Sequence, residues 1–471
     1  MIREINEECG VFGIFSPKKD ETIMYNTYLG LCSLQHRGEE SCGIAINEDG
    51  FITCKKDIGL VSEVFKKHHI NDFVGKMSLG QVKYSGVFTA KKENAQPLVI
   101  RFQTGNMAIA YNGNLINSMD LKKELREVGV IFQSSSDAEV ICSLIARERV
   151  NSVTTEEAIL KIMNKLKGAY SFVVMTKRKM IAVRDPHGFK PLSMGKLGES
   201  TVFSSETCAL DIVGAEYVRD IEPGEVYCIS DEKTTSKTYN IKTKPAVCIF
   251  EYIYFSRPDS YIGGVSVHSF RKDIGKFLAC SNSVKADVVC GVPDSGLDSA
   301  LGYSKESKIP YDIAFIKNKY IGRTFIKFSQ KQRKKLVQVK LSVLKSSVKD
   351  KRVILIDDSI VRGTTIELII KSLKNAGAKE VHVRIASPMY INVCYFGTDV
   401  DNKEDLISCN KTKEEIKEQI GADSLEFLRV EDLNEIARLN NIKGHCNGCF
   451  TSSYPMEVPD KIERDIFEKI L

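Results

Sequence analysis

The stretch Arg352–Thr365, RVILIDDSIVRGTT, decides how the second half of this chain is built. A basic residue opens an apolar run, two acids close it, and small residues lead into a helical pattern. Such a run reads as a buried strand, and ligands of open α/β sheets bind at the carboxyl ends of strands. Gly363 lets the backbone come close. The N–H groups from Ser359 through Val361 and Arg362 to Thr365, with the hydroxyls of Thr364 and Thr365, can then wrap a phosphate at the positive end of the next helix. Asp357 and Asp358 put two carboxylates beside the loop, placed to accept sugar hydroxyl protons or to hold Mg²⁺ through water. A Walker loop is excluded, since no GxxxxGK[ST] occurs.

Around this stretch strands and helices alternate: helix Val267–Ser283, strand Asp287–Gly291, helix Leu297–Ser304, strand Asp312–Ile316, strand Arg352–Ile356, helix Thr365–Asn375 and strand Glu380–Ile385. Alternation predicts an α/β unit with a parallel sheet. The first half reads differently. Short apolar strands at Gly10–Phe15, Cys42–Ile46, Met107–Tyr111, Ser171–Thr176 and Met180–Arg184 are broken by Gly and Asn turns. Helical spacing recurs at Met119–Glu127, Ala138–Arg147 and Glu157–Leu166, which predicts an α+β unit with helices over layered sheets. Polar Asp231–Lys244 is the expected boundary region, and the chain beyond Asp401 is expected to be charged and helical.

With 471 residues the chain exceeds what one core organises, and 43% hydrophobic with 27% charged residues is ordinary for a folded protein. A net charge of +6 spread over 67 basic and 61 acidic residues is no nucleic-acid footprint. The start, MIREINEE, is polar and acidic, and no apolar run has the length to cross a bilayer. The expectation is a cytoplasmic protein, with no nucleic-acid or membrane partner, whose 14 cysteines are reduced or metal-bound.

The Arg352–Thr365 run resembles the phosphoribosyl pyrophosphate signature of type I phosphoribosyltransferases. The resemblance implies pyrophosphate contacts at Val292-Pro293-Asp294-Ser295-Gly296 and at Lys317, Tyr320 and Arg323, with Mg²⁺ near Ser295, Asp357 and Asp358. In that context the basic Lys331–Lys340, otherwise a solvated face, reads as part of a mobile lid.

Cys9 precedes an apolar strand, and on its own it reads more readily as a small packing residue than as a nucleophile. Three features reverse this: the leader Met1–Glu8, Asn112-Gly113-Asn114 after a strand, and Asp137 at a helix start. Together they resemble the class II, N-terminal nucleophile glutamine amidotransferases, whose αββα sandwich is thereby implied. Leader removal makes the cysteine residue 1. A free α-amine with a pKa of roughly 8 then serves as the base. Asn112 and the Gly113 N–H would stabilise the oxyanion, Asp137 would hold the substrate ammonium group, and Arg37 would shape the glutamine site.

Nearly end to end the chain resembles the glutamine phosphoribosylpyrophosphate amidotransferases. That implies a propeptide at 1–8, a glutaminase domain at 9–235, a phosphoribosyltransferase domain at 236–400 and a helical segment at 401–471. It also implies purine nucleotide inhibitors and a homotetramer. One departure stands out: where the family carries His-x-Arg-Tyr, this chain has Gln81-Val82-Lys83-Tyr84. Lysine keeps the charge but not the two-pronged grip on the glutamine carboxylate, so weaker glutamine binding or a changed amide donor is expected, with ammonia-dependent synthesis preserved. Cys446 and Cys449 form a CxxC whose spacing alone is open between zinc and iron–sulfur. The family's iron–sulfur branch implies a [4Fe-4S] cluster on Cys248, Cys394, Cys446 and Cys449. The rival readings are a paralogue with another donor or acceptor, to which Lys83 and Phe328 point, and a non-catalytic nucleotide sensor.

Overall fold

In the computed structural model, residues 9–66, 73–84, 91–102, 105–239, 243–281, 283–318, 341–398 and 402–459 are described. The leader Met1–Glu8, Tyr320, Arg323, Phe328 and the basic Lys331–Lys340 lie outside them.

The first half is built on two antiparallel sheets. Seven strands form one, in the order Glu216–Asp220, Ser193–Leu197, Ser200–Ser204, Gly10–Asp20, Gly75–Lys83, Ser41–Glu48 and Phe51–Ile58. Six form the other: Thr234–Thr238, Glu225–Ser230, Lys179–Arg184, Gly168–Thr176, Gly105–Leu115 and Leu98–Phe102. Side chains alternate along a strand, so each sheet has an inner and an outer row. The inner rows (Val11, Phe15, Met77 and Leu79 against Ala108, Ala110, Val173 and Ala182) pack into one layer between the sheets. On the outer face of the first sheet Phe12, Ile14 and Ile44 receive helix Ile23–Ser33. On the second, Ile109, Phe172 and Val183 receive helices Ser118–Glu127, Asp137–Glu148 and Thr155–Ile162. The result is the expected αββα sandwich, and all five expected strands lie within it.

The expected boundary region is not all loop, because Thr234–Thr238 is an edge strand on Glu225–Ser230. Its side chains are mostly exposed, so no alternation of polarity marks it in the sequence.

The second half holds a four-stranded parallel sheet in the order Val288–Gly291, Arg352–Asp357, Glu380–Ile385, Ser424–Phe427. Both faces are covered, which is why Val353, Ile354, Leu355 and Ile356 form a continuous apolar run. Helices Val267–Ser281 and Gly296–Ser307 lie on one face, Thr364–Asn375 and Lys413–Ile420 on the other. Two details differ from expectation. The segment Asp312–Ile316 is no member of this sheet: Tyr311 makes one parallel bridge to Val289, and Phe315–Lys317 pairs antiparallel with Leu341–Val343. The stretch beyond Asp401 carries a strand as well as helices, since Ser424–Phe427 completes the sheet. Among the described residues no helix is long and apolar enough to cross a membrane.

A buried ion network ties the halves together. Arg37 is completely buried, its guanidinium bonded to Glu206 at 2.7 Å and to Glu251 at 2.8 and 3.0 Å. Glu206 also takes His36 Nε2 at 2.7 Å, Ser260 Oγ at 2.7 Å and the Arg257 N–H at 2.9 Å. Burial alone would raise the Glu206 carboxyl, but His36 and Arg37 outweigh it and hold the group well below the usual carboxylate range. Glu251→Ala takes one of two carboxylate partners from the buried Arg37 guanidinium and is expected to lower the free energy of unfolding by about 3–5 kcal/mol. Urea denaturation reads the loss, and Glu251→Gln, which keeps the acceptor oxygen, should fall between the alanine variant and the native protein.

Candidate active sites and thiol cluster

Cys9 stands at the mouth of the inter-sheet layer, two residues before Val11 in the inner row of strand Gly10–Asp20. Its carbonyl accepts from Arg37 Nε at 3.2 Å and its Sγ lies 4.0 Å from the Tyr84 carbonyl oxygen. Burial pushes the thiol up, opposed by the Lys83 ammonium, the Tyr84 contact and Arg37. Lys83 also donates to the Asn94 carbonyl at 3.1 Å. Asn94 in turn bonds Ser135 through both its amide atoms, at 2.9 and 3.1 Å, just ahead of the helix that begins with Asp137.

Facing Cys9 from the second sheet, Asn112 extends the inner row of Ala108 and Ala110. Its side chain is buried and neither amide atom has a hydrogen-bond partner among the described residues. Such unmade bonds cost about 1–3 kcal/mol each, so they mark a place that something else fills. Gly113 follows with φ of +151°, and a Cβ there would meet the Ala169 carbonyl oxygen at 2.1 Å, so only glycine fits. Asp137 accepts from the Leu115 N–H at 2.8 Å, Ser118 Oγ at 2.5 Å and Tyr111 Oη at 3.3 Å. Asp137, Lys83, Asn112 and Cys9 therefore gather around one end of the sandwich. Arg37 differs: it donates to two carboxylates and to the carbonyl of Cys9.

In the second half the run ending at Asp357 emerges from the carboxyl edge of the parallel sheet. Asp358 accepts hydrogen bonds from both Ser295 and Ser359, joining the two loops expected to face the ligand. Gly363 has φ of +78°, the left-handed turn that starts helix Thr364–Asn375, and no side chain caps that helix. Arg362 pairs with Asp405 at 2.5 Å, and the Val361 carbonyl accepts from the Ile407 N–H at 2.8 Å, so the C-terminal segment braces the loop. Lys317 pairs with Asp294.

The four candidate cluster cysteines lie on neighbouring segments. Val247–Cys248 pairs in parallel with His445–Cys446, setting Cys248 opposite Cys446. Cys394 Sγ accepts from the Phe396 N–H at 3.4 Å, and the Cys449 carbonyl accepts from the N–H groups of Ile391 and Asn392, near Cys394. Burial first, then the neighbouring thiols, push Cys248 and Cys446 up to about 12 and Cys449 well above its ordinary value. Among the described residues no three Cys, His, Asp or Glu groups stand together closely enough to form a metal site.

Glu206 and Glu251 are two residues of the site region that sequence reasoning missed. The signal was an acid inside an otherwise apolar or small-residue run.

These two sites define a class of enzyme: a glutamine amidotransferase sandwich joined to a type I phosphoribosyltransferase fold. Comparison with known proteins agrees with that division. A family model described as a glutamine amidotransferase domain matches residues 85–211, and one described as a phosphoribosyl transferase domain matches residues 268–402. The amidophosphoribosyltransferase of Bacillus subtilis (strain 168) is 46% identical over 461 residues, covering 97% of this chain and 96% of its own. That of Methanocaldococcus jannaschii is 47% identical over 479 residues, covering 98% and 99%. Among solved structures, the B. subtilis glutamine phosphoribosylpyrophosphate amidotransferase in complex with ADP and GMP superimposes with a TM-score of 0.90 at 46% identity, covering 97% of this chain and 99% of that one. The chain belongs to the amidophosphoribosyltransferase family, enzymes of purine biosynthesis that place the amide nitrogen of glutamine on carbon 1 of phosphoribosyl pyrophosphate.

Lys83 supplies the leading opposition to the burial of the Cys9 thiol, so Lys83→Met is expected to raise the thiol's pKa and move the pH profile of iodoacetamide alkylation to higher pH. Lys83→Arg, which restores the fork, should lower the Michaelis constant for glutamine. An alkylation profile that stays in place would remove Lys83 from the electrostatics of the thiol.

Proposed function

We propose that Cys9, freed of Met1–Glu8, is the nucleophile that releases ammonia from glutamine, and that the unpartnered, buried amide of Asn112 is the observation that carries this reading. The α-amine of Cys9 takes the thiol proton, and the thiolate attacks the carboxamide carbon. Charge developing on the oxygen is met by Asn112 Nδ2 and the Gly113 N–H, donors already in place and shielded from water. The amine returns its proton to the departing nitrogen, ammonia leaves, and water cleaves the thioester to give glutamate. Asp137 keeps acceptor capacity for the substrate ammonium group beyond its three protein donors, and Lys83 offers one charge to the carboxylate. Arg37 acts from behind, by fixing the carbonyl of Cys9.

At the second site, Asp357 and Asp358 orient the ribose hydroxyls. The loop Ser359, Val361, Arg362, Gly363, Thr364 and Thr365 receives the 5-phosphate, with Lys317, Tyr320 and Arg323 on the pyrophosphate side. Ammonia attacks carbon 1 from the face opposite pyrophosphate and yields 5-phosphoribosylamine. The hard oxygen donors of Ser295, Asp357 and Asp358 fit Mg²⁺, which when bound neutralises charge on the leaving pyrophosphate. The soft thiol donors of Cys248, Cys394, Cys446 and Cys449, from three segments of one neighbourhood, fit a [4Fe-4S] cluster of structural role. As a working assembly we infer a cytoplasmic homotetramer, with the glutaminase at 9–235, the phosphoribosyltransferase at 236–400 and the remainder at 401–471. Inhibition by purine nucleotides is supported by the ADP and GMP bound to the B. subtilis relative.

Cys9→Ala is expected to abolish glutamine-dependent synthesis and to keep ammonia-dependent synthesis, and intact-mass measurement should find the mature chain beginning at Cys9. A chain that retains Met1 and hydrolyses glutamine normally overturns the mechanism. Protein purified without oxygen should carry about four irons per chain, lost in Cys446→Ser; a colourless, iron-free native protein removes the cluster.

A further inference from the structure

Asn112 is not the only polar group without a partner in the layer beside Cys9. Gln81 is completely buried on strand Gly75–Lys83, directly across from Val11, so its side chain enters the same inner layer one step along from Cys9. Its Nε2 donates to the Tyr111 carbonyl at 2.6 Å, joining the two sheets one residue before Asn112. Its Oε1, like both amide atoms of Asn112, has no partner among the described residues.

Three unsatisfied atoms in one buried layer call for an occupant that satisfies them. They comprise two acceptors, Gln81 Oε1 and Asn112 Oδ1, and one donor, Asn112 Nδ2. Ammonia, with three N–H donors and one lone pair, complements that set. An ammonium ion has no lone pair for the donor, and walls of Val11, Ala108, Ala110 and Val173 disfavour a charge. We propose that Gln81 receives newly released ammonia, holding it neutral beside Cys9 until it moves to the phosphoribosyl site. This rests on Cys9 being the nucleophile. Neutrality matters because only the unprotonated nitrogen has an electron pair for carbon 1.

The test compares the native enzyme, Gln81→Met and Cys9→Ala, with glutamine and phosphoribosyl pyrophosphate both saturating, and measures glutamate released, phosphoribosylamine formed and free ammonia. Losing the acceptor should lower the ratio of phosphoribosylamine to glutamate by roughly threefold or more, with the missing nitrogen found as free ammonia. A ratio equal to the native one overturns the proposal, even where both rates fall together, since a purely structural role or a hold on the hydrolytic water would do that. Gln81→Asn, which withdraws the same oxygen by one methylene, is read in the same way should Gln81→Met not fold. Glutamate release that persists in Cys9→Ala instead sinks the nucleophile assignment, a separate failure.

Discussion

A guanidinium with no exposure to water cannot stand alone, and most of the arrangement between the two halves follows from how Arg37 is neutralised. Glu206 comes from the sandwich, and Glu251 from the segment that leads into the phosphoribosyltransferase fold. Replacing such a network with apolar side chains often costs nothing in stability, so its value lies in geometry. The remaining Arg37 nitrogen holds the carbonyl of Cys9, so Cys9 and the first turn of the second half are positioned by one side chain. Arg271 does similar work nearby: buried, it donates to the carbonyls of Tyr252, Tyr254 and Ser256 and fixes the turn that carries Glu251.

Both catalytic regions follow one physical rule. A strand ends or turns, and a glycine permits a backbone conformation that other residues resist beside a set of polar groups. At Gly113 the constraint is the Ala169 carbonyl, at Gly363 the left-handed turn that opens a helix. Bracing is supplied from far along the chain: Asn94 and Ser135 support the glutamine side, Asp405 and Ile407 the phosphate side. The thiol group near Cys248 lies along the same seam, since the Cys248 N–H donates to the Phe189 carbonyl of the sandwich at 3.1 Å, and Phe189 stacks on Phe396 with ring centroids 4.3 Å apart.

Much of this was legible in the sequence where structure is periodic. Short apolar runs at Gly10–Phe15 and Met107–Tyr111 announced buried strands, and the unbroken run at Arg352–Ile356 announced a strand covered on both faces. The signal failed at elements that bury little. Thr234–Thr238 is an exposed edge, Ser424–Phe427 is four residues among helices, and the 312–316 segment is apolar yet pairs outside the main sheet.

The sequence by itself determined the residue types available: a cysteine at position 9, an Asn-Gly pair, two acids ahead of a small-residue loop, and a lysine at position 83. Those are local facts, carried by residue type and short spacing. Only the tertiary structure decided that Arg37 bonds two carboxylates, and that Gln81 Oε1 and both amide atoms of Asn112 are left unpaired among the described residues. Hydrogen bonds between residues 30 to 214 positions apart settle such matters, and no periodicity encodes them.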